Sequence, residues 1–383
     1  MDNVTHTLFG ATLARTPLGR AGRGATTALI LASNAPDIDI VTTAGGALKY
    51  LEWHRGPTHG PLGIVGLGLV TAGLVVAGRA LLDRRRHASH ELGDDRNASY
   101  ATLAMVSILG VLLHVLMDLP TSYGTRPLSP FDWHWYAFDW MPILDIYLLG
   151  ALAAGLLLGQ RWPSARRRNA VIVLVFMAAN YGVRATAHER ALSLAPRVFG
   201  PALPAPCSGA PAHTRLDRWP RPAAAAPADP GAGCLVETAA LPDFGSPFRW
   251  RLIARLSNAY LVDDLDMDLL GAIVRRPPTD ADTASRLTLS RSNVWTPPAF
   301  QAATTDAARV FLGFSRFPSV RTVVGRDGVT TVSWVDMRFS AAPVGPRRGF
   351  EPDRERPAPN LFGATVRIGP DGRVLDARLG IGN

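Results

Sequence analysis

The 383-residue sequence predicts a mainly α protein: a polytopic helical membrane domain followed by a small α+β extramembrane domain. Three observations carry this. Long uncharged stretches lie before residue 187 and are absent after it. Charged residues make up 19% of the chain, below the roughly 25% usual in soluble domains. β-rich runs with Asp-Gly turns gather in the last third. The first observation excludes a purely soluble protein. The expected division is a membrane domain over 1–190 with a metal site, a Pro/Ala-rich linker over 191–235 and an α+β extracytoplasmic domain over 236–383.

Four stretches reach the length of about 20 apolar residues that a bilayer requires. They are 60–78, with no ionisable side chain; 100–119, with His114 and Asp118; 140–160, with Asp145; and 169–187, with Arg184 near its end. Two shorter apolar pieces, 4–14 and 25–35, precede them. Neither can cross alone, so they read as half-helices packed against the spans. No cleavable leader is visible, because Arg15 and Arg20 break the first apolar piece.

The net charge is +9, and with Lys49 the single lysine, nearly all positive charge is arginine. Arginines crowd the loop holding Arg79, Arg84, Arg85, Arg86 and Arg96, and the loop holding Arg161, Arg166, Arg167 and Arg168. By parity these loops share one side, the cytoplasmic one, which the linker with Arg15, Arg20 and Arg23 also fits. Residues 36–59, residues 120–139 and the C-terminal half then lie outside. Phe131, Trp133, Trp135, Tyr136, Phe138 and Trp140 suit an outer interfacial belt.

Nine prolines from Pro196 to Pro230 mark an extended linker. Beyond it, 249–262 and 321–339 read as strands, Asp327-Gly328 and Asp371-Gly372 as turns, and 304–317 as one helix. Asp264, Asp266 and Asp268 alternate with apolar residues, as the solvated face of a strand would. Cys207 and Cys234 exclude a multi-cysteine zinc site; they pair if this half is extracytoplasmic and otherwise stay as two thiols.

The ionisable residues of the membrane half converge on the outer side. His114 and Asp118 stand at i and i+4 on one helix face, among Leu112, Leu113, Val115 and Met117. Ionisable groups at such depth are functional candidates, and imidazole with carboxylate suits a divalent ion. Pro36 should stop the preceding half-helix and leave Asp37 and Asp39 on a short extended piece. Two adjacent carboxylates repel unless a cation or proton intervenes. In His54-Arg55-Gly56-Pro57-Thr58-His59, Arg55 offers a fork for an anionic group and His59 a ligand at the membrane surface, with His54 the weaker histidine. His6 near the start and Asp145 at the head of a span face the same layer.

Taken together, Thr5-His6, Asn34-x-Pro36-Asp37-x-Asp39, His54-Arg55-Gly56-x-Thr58-His59, His114-x3-Asp118, Tyr123-Gly124-Thr125-x2-Leu128-x-Pro130-Phe131 and Asp145 resemble the YdjM-like membrane-bound metal-dependent hydrolases over residues 1–190. The resemblance implies a bacterial or archaeal inner-membrane protein with a divalent metal site. The segment Pro242-Asp243-Phe244-Gly245-Ser246-Pro247-Phe248-Arg249-Trp250 looks like the start of that family's extramembrane domain. The order His6, Asp39, His59, His114-x3-Asp118 is similar to the ligand order of zinc-dependent phospholipase C and related nucleases. Their second His-x3-Asp pair is missing here, which implies one or two metals rather than three.

The expectation is a metal-dependent hydrolase of a phosphoester or other anionic, envelope-linked substrate. His6, Asp37, Asp39, His59, His114 and Asp118 are the candidate ligands of a divalent metal, most suitably zinc. Arg55 would hold the substrate, and Asp145 would be a further ligand or the general base. A transporter using the same residues, or an anchor presenting the C-terminal domain, are the alternatives. The first requires polar residues through the full membrane depth, whereas 70–78 and 150–159 are apolar and Gly-rich. The second leaves the His/Asp convergence unexplained. The bilayer is the expected partner, and no nucleic-acid signature is present. Reporter fusions at Ser164 and at the C-terminus should report cytoplasmic and extracytoplasmic sides respectively; a cytoplasmic C-terminus would overturn both the topology and the outer-side site.

Overall fold

The computed structural model describes residues 1–86, 98–210, 214–220, 233–274, 289–340 and 362–381. His87 and Arg96 of the first basic loop lie outside the described residues. The chain forms two compact units, Met1–Thr42 with Trp53–Ala185, and Thr43–Glu52 with Thr186–Asn383.

The helices of the first part of the chain are α1 (Asn3–Leu13), α2 (Ala25–Ala32), α3 (Gly46–Trp53), α4 (Pro61–Arg86), α5 (Tyr100–Asp118), α6 (Ile146–Arg161) and α7 (Arg166–Phe199). Side chains start several of them. Asp2 accepts from the Thr5 amide at 3.0 Å, and Ser99 from the Thr102 amide at 3.1 Å. The expected half-helices are α1 and α2. Among the described residues, three segments are long and apolar enough to cross a membrane: Pro61–Arg84, Tyr100–Asp118 and Pro163–Ala202. The stretch expected to span from residue 140 does not join them. Asp145 caps α6 by accepting from the Leu148 amide at 2.7 Å, so helix begins only at Ile146 and has 16 residues.

Residues 35–45 also differ from expectation. Asp37 and Asp39 lie on a 3-10 helix, Ala35–Gly45, rather than on an extended piece. The Asp37 amide bonds the Asn34 carbonyl at 3.2 Å, and Pro36 sits in the first turn, where its missing N–H is no loss.

Phe9, Leu13, Ala28, Leu29, Leu103, Val106, Met117, Leu148 and Leu152 form the core of this unit. Leu62, Val70 and Leu74 of α4, Met105 of α5, and Ile172 and Val175 of α7 are exposed instead. An exposed apolar surface of this extent on membrane-length helices suits lipid contact. Helices α4 and α5 touch closely at Gly68, where a Cβ would fall 2.4 Å from Ile108 Cγ1 and 2.8 Å from Ile108 Cα.

Strand β1 (Trp135–Ala137) belongs to the first unit and β2 (Asp217–Trp219) to the second. Among the described residues, the second unit holds two four-stranded antiparallel sheets. One is ordered β3 (Leu235–Pro242), β4 (Arg249–Leu256), β5 (Ala259–Asp266), β6 (Leu289–Ser292). The other has the order β10-β9-β8-β7, from β7 (Pro318–Val324), β8 (Thr330–Asp336), β9 (Phe362–Ile368) and β10 (Val374–Ile381). The single helix expected over 304–317 is shorter and has a companion: α8 (Pro297–Ala302) precedes α9 (Asp306–Phe314), which Thr305 caps.

The last turns of α7 pack Ala191, Leu194 and Ala195 against Trp250, Leu252 and Leu261. The stretch read as a linker therefore contains the end of α7, and it also holds β2 and Cys207, which forms a disulfide with Cys234. Asp264 and Asp266 pair across strands with Arg251 and Arg249 at 2.9 and 2.8 Å, as a solvated strand face does.

Gly68→Ala should destabilise the detergent-solubilised protein by about 1–3 kcal/mol, because the added methyl meets backbone. Gly66→Ala, with nothing within 4 Å of its Cβ position, should leave the thermal midpoint unchanged. Equal effects would show that α4 and α5 do not approach closely at Gly68.

Candidate metal centre

Four side chains from three segments of the first unit meet at one point. Asp37 comes from the 3-10 helix, His59 from the turn before α4, and His114 and Asp118 from the last turns of α5. One ligand atom from each lies within 4.8 Å of all the others. His59 Nε2 is 3.4 Å from His114 Nε2 and 3.4 Å from Asp118 Oδ2. His114 Nε2 is 3.4 Å from Asp118 Oδ2 and 3.6 Å from Asp37 Oδ1. His59 Nε2 lies 3.8 Å from Asp37 Oδ1.

Tautomers and spacing fit a cation. His114 Nδ1 donates to the Ser33 carbonyl at 2.8 Å, which leaves Nε2 with its lone pair toward the cluster. Burial pushes the His59 pKa down to about 4, so this ring is neutral at pH 7. Two imidazole nitrogens and two carboxylates thus face one another around one point. A tetrahedral site with bonds of about 2.1 Å separates its ligand atoms by roughly 3.4 Å. Asp37 Oδ2, Asp118 Oδ2 and both nitrogens of His6 are buried without a hydrogen-bond partner. Such orphaned acceptors are costly in an apolar interior unless a cation or proton satisfies them. Two His and two Asp suit zinc or manganese.

Around this group the remaining candidates take distinct places. His6 stacks on His114 with ring centroids 3.8 Å apart, and its Nε2 is 3.4 Å from Asp118 Oδ1. Asp39 stands behind the cluster. Its Oδ2 accepts from the Arg55 amide at 2.7 Å and lies 3.8 Å from His59 Nδ1, while Oδ1 is 3.3 Å from His54 Nδ1. Burial would raise the Asp39 pKa, but the His54 contact and the His59 ring outweigh it and hold the carboxyl ionised. His54 thus reaches Asp39 and not the cluster.

Arg55 is tied in rather than open. Its backbone is left-handed at φ 52°. Nη1 donates to the Gly124 carbonyl at 2.8 Å, Nη2 is 3.2 Å from Asp118 Oδ1, and the guanidinium lies over the Tyr123 ring. Burial lowers its pKa, but the Asp118 and Asp37 carboxylates more than offset this, so it keeps its charge. Its Nε is buried without a hydrogen-bond acceptor. The Met1 ammonium also pairs with Asp118.

Asp145 is engaged elsewhere. Besides capping α6, it pairs with Arg184 at 2.6 Å, both side chains fully buried, and lies 3.4 Å from Asn180 Nδ2. It is not in the four-residue group. The Ser33 carbonyl, Gly124 carbonyl and Met1 amine are partners that the sequence did not announce. Backbone acceptors carry no residue-type signal; Arg184, an arginine inside an apolar stretch, carried one.

Residues 1–191 match the family model of the YdjM inner membrane protein. No curated protein and no solved structure matches the chain. Through its N-terminal half, the chain belongs to the YdjM inner membrane protein family.

The surroundings of Asp145 predict a structural phenotype. Asp145→Ala removes the 2.6 Å ion pair of a fully buried Arg184, and should cost about 3–5 kcal/mol of stability. Elemental analysis of the surviving folded fraction should find the metal content of the wild type. Selective loss of metal at unchanged thermal stability would instead make Asp145 a ligand.

Proposed function

As a member of the YdjM inner membrane protein family with a buried His/Asp group, the chain is, we propose, a metal-dependent hydrolase working at the outer face of the inner membrane. The observation that carries this reading is the convergence of Asp37, His59, His114 and Asp118, acceptor against acceptor, in one buried place. These four would hold the ion, with His6 beside them as a further donor to Asp118 or to the ion. When bound, a divalent cation supplies Lewis acidity and makes a coordinated water nucleophilic at neutral pH.

The other residues orient this set. Ser33 fixes the tautomer of His114, and Thr58 and Asp39 face the Nδ1 side of His59. Such contacts behind a ligand fix its ring and raise its basicity. Arg55 holds Asp118 in place, and its unused Nε–H is the donor left for an anionic oxygen of the substrate. Metal with guanidinium favours a phosphoester over a neutral substrate. Asp145, held by Arg184, serves architecture rather than proton transfer in this reading.

The arginine-rich loops support a multi-pass topology with the C-terminal unit outside. The Cys207–Cys234 disulfide is in keeping with an oxidising compartment. A lipid or envelope-linked substrate would reach the site without leaving the membrane.

Protein purified without chelator should carry at least one divalent metal, zinc in the first instance. His114→Ala should lower metal content and abolish phosphoesterase activity while the protein still inserts. His87→Ala should change neither. A metal-free wild type that neither binds nor is stabilised by zinc or manganese would end the hydrolase reading.

A further inference from the structure

In the second unit, three strands turn at one end of their sheet. Pro242 pairs with Trp250, and Arg249 with Asp266. The β3–β4 turn and the loop after β5 therefore leave the sheet side by side. Each is shaped by an aspartate accepting amides. Asp243 accepts from Gly245 and Ser246 at 2.7 and 3.1 Å, and Asp268 from Leu270 and Ala272 at 2.9 and 2.8 Å. What these polar turns display is apolar. Phe244 is 61% exposed, Leu269 81% and Leu270 91%. Neighbouring apolar side chains on two adjacent loop tips mark an interaction surface rather than scattered exposure.

The position of α7 identifies the partner. The Trp250 ring lies against His188, and Arg190 Nε donates to the Gly271 carbonyl at 2.8 Å. The other end of the sheet meets the chain just after α7: the Leu235 amide bonds the Ala205 carbonyl at 2.9 Å, and the Cys207 amide bonds the Leu235 carbonyl at 2.8 Å. Helix α7 thus runs along the sheet from the turn end to the far end. Its exposed apolar stretch, including Val171, Ile172, Val175 and Phe176, precedes residue 188. The turn end is therefore the end from which the lipid-crossing part of α7 arrives.

We infer that Phe244, Leu269 and Leu270 insert into the surface of the bilayer that α7 crosses, and that this seats the C-terminal unit on the membrane. The exposed Arg190 and half-exposed Arg249 stand beside these turns, at the height where anionic headgroups would meet them. The inference is independent of the metal chemistry, since it uses only α7 and the second unit.

Spin labels on single introduced cysteines test it in the full-length protein, reconstituted in nanodiscs of phosphatidylcholine and phosphatidylglycerol. The native cysteines are consumed by their disulfide. Labels at Phe244→Cys and Leu270→Cys should collide with oxygen several-fold more, and with a water-soluble nickel chelate several-fold less, than a label at Ala202→Cys. Ala202 is exposed and lies beyond the far end of α7. Chelate accessibility equal to that of Ala202 at both turns overturns the inference. So does spin–spin broadening at Leu270→Cys that vanishes on dilution with unlabelled protein, which would make the patch a contact between two copies.

Discussion

The carboxylate of Asp118 is the charge around which the first unit is arranged. It is fully buried at the end of a membrane-length apolar helix, where an isolated anion is expensive. The Arg55 guanidinium and the Met1 amine pair with it, and three imidazoles stand 3.4 Å from its oxygens. Asp37 and Asp39 bring two further carboxylates to the same place, where Arg55 is the guanidinium that faces them. A buried acceptor-rich cluster is an environment that selects a cation.

The odd proportions of the fold follow from the need to bring those partners to one depth. Helices α1 and α2 are too short to cross a bilayer, yet α1 delivers His6, and the end of α2 delivers the Ser33 carbonyl. The 3-10 segment then turns Asp37 toward the cluster and Asp39 behind His59. The left-handed backbone at Arg55 lets one residue use both its amide, on Asp39, and its guanidinium, on Asp118. Within the 3-10 segment Pro36 and Asp39 are buried, while Ile38, Ile40 and Val41 are exposed.

Much of this was legible in the sequence. His114 and Asp118 share a face because four residues make one helical turn. The apolar runs gave the long helices, and the alternating runs gave strands β4, β5, β7 and β8. Three things were not legible, for physical reasons. A proline is compatible with a 3-10 turn as well as with extended chain, so Pro36 did not decide the conformation of Asp37 and Asp39. An aspartate heading an apolar run reads the same as a cap or as a site residue; only Arg184, 39 positions away in sequence, separates the two for Asp145. Arg55 looked like an open anion fork, because sequence does not reveal that the Gly124 carbonyl and Asp118 already hold two of its nitrogens.

The Asp145–Arg184 pair bears on how the chain is made. Both side chains are fully buried, and at 2.6 Å their opposite charges form a compact dipole. Helices α6 and α7 are separated by only a short turn at Pro163–Ala165. Were both helices to enter the bilayer, the lower-energy route would be to enter it joined, as a hairpin whose charges have already met. On that route α6, too short to be held by lipid alone, is carried in by the longer helix that follows it in translation.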